Sequence, residues 1–284
     1  MSTVRPAQRG LLFLGCLLAF VRWEPAPYDL FLIIIFLLYA RGLTWKSYQL
    51  VFVVLLGPLL FTHVPALGAA LEVAPERTLY YSLVTLYLAL SSVFFMSLPE
   101  RSVPLLLLGY EVGALLSGLL GVLAFLRIPG LEDLLWGGSR AVAFFKDPNV
   151  FGAFLIPALF LALARLEQGR KFWILPALIL FLGVLVSLSR GAWANFAVAL
   201  LAWWLLRPRK RIWLPLVLLT LAGGVGISVV VMPDNPIVQR LGFMPYDKER
   251  FFTQMEALSL ALTQPLGYGP GLSEIHLSYA THNT

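Results

Sequence analysis

Five side chains able to grip or activate an oxygen-rich substrate interrupt an otherwise apolar sequence: Arg140, Lys146, Arg190, Arg250 and His282. Arginine presents a planar fork of donors that binds phosphate or pyrophosphate bidentately, lysine adds a point charge, and a neutral imidazole is the commonest general base near neutral pH. Such a set can hold an anionic leaving group and take a proton from a nucleophile. Each residue also has a plainer use, because a cation at a lipid boundary reaches for headgroup phosphates and a histidine in a polar loop is often simply solvated. His276 and His282 lie six residues apart with no Cys or carboxylate at a ligand spacing, so neither a metal nor another cofactor is expected.

The segments around these residues carry signals for how they are positioned. In "GGSRAVAFFKDPNVFG", Gly137 to Gly152, Asp147 is a helix N-cap and Pro148 the first helical residue, with Asn149 following. Arg140 and Lys146 precede that start, where backbone N–H groups and the positive end of the helix dipole favour an anion. Arg190 stands in "SLSRGAW" inside a run from Phe172 to Leu206. As one helix that run would reach about 52 Å, too long for a single crossing, so it is split at Ser187 to Gly191. In "KERFFTQMEALSLALTQPLGYGPG", Lys248 to Gly271, Phe251, Met255, Leu258 and Leu262 recur at helical spacing, an amphipathic helix that lies on or re-enters the membrane face. It starts beside Arg250 and runs into Gly267, Gly269 and Gly271, which make a turn or let backbone approach a ligand closely. Glu111 is the one carboxylate well inside a span, among Gly109, Gly113, Ser117 and Gly121. It reads either as part of a polar path or as a hydrogen-bonded residue in a closely packed helix face.

Composition sets the frame. The 284 residues are 59% hydrophobic and 13% charged, with a mean hydropathy of +0.83, far more apolar than one soluble core can hide. The fold class expected is an all-α integral membrane protein, a multi-span helical bundle. The single cysteine, Cys16, lies in an apolar run and implies neither a disulfide framework nor thiol metal ligands. Although the net charge is +6, the basic residues are scattered between apolar runs, which argues against nucleic acid as a partner.

Nine candidate spans lie near 8–23, 28–41, 48–64, 78–98, 103–126, 149–166, 172–188, 191–206 and 212–232. With the N-terminus cytoplasmic, the inner segments hold twelve Lys and Arg against six in the short outer ones, and "RPRKR" at Arg207 to Arg211 is the strongest anchor. That topology puts all five cationic and imidazole candidates on the outer side. The domains expected are a membrane bundle over 1–232 and an outer-face loop with amphipathic helix over 233–284.

At this point the sequence resembles the O-antigen ligase and polymerase superfamily of bacterial envelope enzymes. The resemblance rests on "RAVAFFKDPNVFGAFL", "LVSLSRGAWANF", "ERFFTQMEALSLALTQPLGYGPG" and "THNT", in the family's order over roughly Arg140 to Thr284. It implies a glycosyltransferase with a C-type membrane fold (GT-C-like) in the bacterial cytoplasmic (inner) membrane, with its active site on the periplasmic face. Its donor would be a polyprenyl pyrophosphate-linked glycan, and its acceptor a hydroxyl on lipid A core, a glycan chain or a protein. Carried over by motif, Arg190 and Arg250 bind the pyrophosphate with Arg140 in support, and His282 deprotonates or orients the acceptor hydroxyl with Asn283 beside it. Family members continue past the His-Asn, so the resemblance further implies that the chain is truncated after Thr284. The rival reading is a transporter or flippase of an anionic lipid-linked glycan, which calls for polar residues deep in several spans; here the spans are nearly free of them. A scaffold subunit is a third reading, in which the arginines and histidine are dispensable.

Overall fold

The computed structural model describes residues 6–39, 43, 46–206 and 245–277, and the chain is mostly helical. Span 212–232, the "RPRKR" anchor and the 232/233 domain boundary lie outside the described residues. The chain divides into two compact units, Met1–Leu38 with Ser102–Gly242 and Tyr39–Arg101 with Phe243–Thr284.

The first unit is organised around α5 (Val103–Phe125), which packs against α1 (Pro6–Leu17), α6 (Pro148–Glu167) and α7 (Ile174–Val186). Small residues make this possible. A Cβ on Gly109 would stand 1.8 Å from the Leu12 carbonyl oxygen, one on Gly113 2.4 Å from that of Cys16, and one on Gly15 2.2 Å from that of Leu106. The backbones of α1 and α5 therefore touch, the arrangement that small-residue faces allow where lipid offers no hydrophobic drive for helices to associate. The core beyond this seam is built from Phe145, Phe151, Leu155, Leu159, Leu180 and Val184.

Two polar contacts tie α5 to α6. Pro157 lies inside α6. One turn of the ladder there is completed by α5: the Tyr110 hydroxyl donates to the Phe154 carbonyl at 2.5 Å and accepts from the Ala158 N–H at 3.2 Å. A side chain inserted into the ladder is a standard cause of helix bending. Two turns further along α6, Arg165 meets the buried Glu111 carboxylate at 2.6 Å, and its guanidinium lies 4.0 Å above the Trp173 ring. Of the two sequence readings of Glu111, this geometry is the packed one, with an ion pair as its support.

In the second unit α3 (Ser47–Val73) and α4 (Pro75–Ser97) form a hairpin closed at both ends. At the turn the Ala70 carbonyl accepts from the Ala74 N–H and the Thr78 hydroxyl. At the open end the buried Gln49 amide donates to the Ser97 hydroxyl at 2.6 Å, and Lys46 donates to the Leu98 carbonyl at 3.1 Å. Against this hairpin sits a glycine turn, described below, that follows α9 (Pro245–Thr263) and leads into the short α10 (Ser273–His276).

Among the described residues three helices are long and apolar enough to cross a membrane: Pro75–Ser97, Glu100–Phe125 and Pro148–Glu167. Several boundaries differ from the expected spans. α1 stops at Leu17 although the apolar run continues, because Phe20 stacks on Phe144 with ring centres 4.6 Å apart and the Val21 N–H is captured by the Phe144 carbonyl. α3 continues to Val73, well past the expected end at 64. α2 (Pro27–Tyr39) is short, with 13 residues. The run from Phe172 does break as expected, into α7 and α8 (Arg190–Leu206), with Leu188 at φ 49° between them.

Candidate functional site at the starts of two helices

The segment before α6 is a small hairpin. β1 (Leu135–Trp136) and β2 (Arg140–Ala141) pair antiparallel, with Trp136 opposite Arg140. The turn between them needs Gly137 and Gly138 at φ 55° and 68°, a region where a Cβ is strained. This hairpin delivers Arg140 to the start of α6. Its Nε donates to the Ser187 carbonyl at 3.2 Å, and a terminal nitrogen donates to the Asn149 side-chain oxygen at 3.1 Å. Arg140 thus braces the first turn of α6 to the end of α7.

Both helix starts are capped by local chemistry. Asp147 accepts from the Asn149 N–H at 2.6 Å, with Pro148 next, as "DPN" predicts. Ser189 does the same for α8, accepting from the Ala192 N–H at 3.2 Å. The two first turns are packed together, since a Cβ on Gly152 of α6 would lie 2.6 Å from Ser187 Oγ and 2.8 Å from Ala192 Cβ. Two positive dipole ends therefore converge at one corner, with the half-buried Arg190 as the first residue of α8 and the half-buried Arg140 braced across it. A corner of this kind suits an anion such as phosphate.

The other candidates lie on other segments of the chain. Lys146 is exposed and forms an ion pair with Glu24, which follows α1. Arg250 lies in the second turn of α9, half-buried, and Gly267 and Gly269 lie in the turn after it at φ 75° and 109°. These three belong to the second unit. His282 and Asn283 lie outside the described residues. Nothing in the sequence signals that the Ser187 carbonyl accepts from Arg140. The signal for Ser189 was present, a serine directly before an arginine-led apolar run, which is a helix N-cap pattern.

In the turn before β1, Glu132 has a carboxyl held below its usual range by hydrogen bonds from its own amide and that of Gly130, with Arg127 adding attraction.

The chain matches no family profile, no curated protein and no solved structure. The local geometry therefore carries the functional argument.

Proposed function

We propose that the chain is a membrane glycosyltransferase that moves a glycan from a polyprenyl pyrophosphate-linked donor to an acceptor hydroxyl on the outer face of a bacterial cytoplasmic membrane. The observation that carries this reading is the corner where α6 and α8 begin, with Arg140 and Arg190 at two converging helix N-termini. Developing negative charge on a departing pyrophosphate is stabilised by positioned cations and N–H dipoles without a metal. In this reading the full chain is a GT-C-like bundle of nine or more spans, and Arg250 adds a further cation to the leaving group. The His282 imidazole takes the acceptor hydroxyl proton, the oxygen attacks the anomeric carbon, and the bond to pyrophosphate breaks with its electron pair leaving on the phosphate oxygen. The anomeric configuration inverts.

The test is transfer by the purified full-length protein given a lipid-linked glycan and candidate acceptors. Arg190→Ala is expected to lower the rate by about 10²–10³, the scale for losing one transition-state donor, and His282→Ala to abolish it with insertion and folding intact. Full activity in both variants refutes the mechanism. Glycan movement across vesicles with no transfer would make the chain a flippase. A label at position 282 that reacts only from the cytoplasm would overturn the topology.

A further inference from the structure

The break between α7 and α8 is held by a side chain for which the chemistry above has no role. Trp193 stands three residues after Arg190, where the first turn of α8 closes. Its backbone N–H donates to the Ser189 carbonyl at 3.0 Å, the rung that closes this turn, and its indole Nε1–H donates to the Val184 carbonyl in the last turn of α7 at 3.1 Å. One residue therefore shuts the turn that carries Arg190 and ties it to the preceding helix.

The break explains why Val184 needs that donor. In an unbroken helix its carbonyl would accept from the Leu188 N–H, four residues on. Leu188 adopts φ 49° and donates to the Leu185 carbonyl at 3.1 Å instead. Val184 is buried, and a buried carbonyl that loses its rung has to find another donor. The Ser187 hydroxyl supplies one at 2.7 Å, and the Trp193 indole supplies the second. The Ser187 carbonyl, one residue beyond α7, takes the Arg140 Nε. Both arginines of the corner are thus tied to the same break.

Tryptophan suits the task. Long side chains in helices lean back over the turn on their N-terminal side, which brings the indole towards α7. Its N–H is a donor only, set at the edge of a rigid ring that also packs against the core containing Phe151, Leu155 and Val184.

The tether matters because the backbone beside Arg190 is otherwise loosely held. Gly191 follows directly and is exposed, and a Cβ there would meet only Ser189 Oγ, at 3.9 Å. Packing does not fix that glycine, and glycine is the residue with the most backbone freedom to lose. The first turn of α8 is located by the Ser189 cap on one side and by the bond from Trp193 to Val184 on the other.

We propose that Trp193 is the positioning residue of Arg190: by holding the first turn of α8 to the end of α7, it sets where the guanidinium stands at the corner shared with α6. The role rests on the function proposed above for that corner, and Trp193 acts in it through Arg190.

The experiment uses the full chain in detergent micelles with two readouts, glycan transfer from a lipid-linked donor and binding of inorganic pyrophosphate by titration calorimetry. Trp193→Phe keeps an aromatic ring and removes the donor. It is expected to lower kcat about ten- to one-hundred-fold, the scale for misplacing a positioned group by about 1 Å, with the acceptor KM within about twofold of the parent. Pyrophosphate binding should weaken about tenfold. In an Arg190→Ala background the same substitution should change neither readout further, because the residue it acts through is already gone. Phe196→Leu is the packing control. Phe196 lies three residues further along α8, with ring centres 6.0 Å from Phe160 and 5.7 Å from Phe181, and its loss should lower the midpoint of unfolding in SDS while kcat and pyrophosphate affinity stay parental. Parental kcat and affinity in Trp193→Phe, losses that multiply in the double variant, or an equal slowing by Phe196→Leu overturns the proposal. So does an Arg190→Ala chain with parental activity and affinity. A parent chain that neither binds pyrophosphate nor transfers glycan overturns it together with the transferase reading. A chain that transfers no glycan yet binds pyrophosphate with these variant effects upholds the positioning role while the transferase reading alone falls.

Discussion

Replacing Gly109 by alanine tests the α1–α5 seam directly. The new Cβ would lie 1.8 Å from the Leu12 carbonyl oxygen, and real Cβ contacts essentially never fall below 3.0 Å, so the two backbones must part by at least 1.2 Å. The clashing atom is main chain, so no rotamer change relieves it. Overpacking of this sort costs about 1–3 kcal/mol, and the rigid neighbour places Gly109→Ala towards the upper end. At about 1.4 kcal/mol per decade, the 2–3 kcal/mol end of that range lowers the ratio of folded to unfolded protein by roughly 30- to 140-fold. Gly68→Ala is the matched control. Gly68 lies in α3 with nothing within 4 Å of its would-be Cβ, and helix propensity alone favours alanine there by up to about 1 kcal/mol. The assay is unfolding of the purified protein in mixed micelles by increasing SDS, followed by far-UV circular dichroism. A midpoint for Gly109→Ala equal to that of the parent chain, or an equal drop for Gly68→Ala, would refute the reasoning.

Three further outcomes follow from contacts described above. Arg165→Ala strands the buried Glu111 carboxylate and should cost about 3–5 kcal/mol, whereas Glu111→Leu with Arg165→Met should recover most of it; equal losses in the two SDS titrations would argue against a structural ion pair. Asp147→Ala removes the α6 cap and should lower stability by about 0.5–2 kcal/mol, with Asp147→Asn close to neutral, both read in the same titration. The folded pKa of Glu132 lies below its unfolded value, so its contribution to loop order is complete above the unfolded value of about 4.3 and is lost as pH falls through the folded one. The Gly130 amide, which donates to that carboxylate, should therefore shift in NMR spectra as pH falls below the ordinary glutamate range, and a resonance that stays still would refute the link.

Local chemistry was legible in the sequence and distant partners were not. "DPN" before an apolar run specifies a cap using three adjacent residues, and Asp147 forms it. The break near Arg190 could be read from length alone, because hydrocarbon thickness limits how long one helix can run. By contrast, nothing near Leu17 signals a stop, since the residues that end α1 are Phe144 and its carbonyl, far along the chain. The small-residue face around Gly109 announced close packing but did not name Leu12 and Cys16 as the backbone it meets. The ion pair of Lys146 with Glu24 joins residues far apart in the chain and has no local sign in the sequence. The pairing of Arg165 with Glu111 depends on the register between α5 and α6, which the sequence does not show.

The hydroxyl of Tyr110 gives that register a mechanical meaning. A proline bend usually leaves a helix able to flex, because the broken rung can open and close at little expense. In α6 the adjacent rung runs through a side chain anchored on another helix. Pulling the two helices apart would take a partner from a part-buried carbonyl and amide, about 1–3 kcal/mol for each group left unsatisfied. α5 and α6 therefore move as one stiff beam, bolted at Tyr110 and again at Glu111. In the proposed transferase, a gate for the lipid-borne donor is to be sought in helices without such a bolt, and amide hydrogen exchange at Ala158 should be among the slowest in the protein.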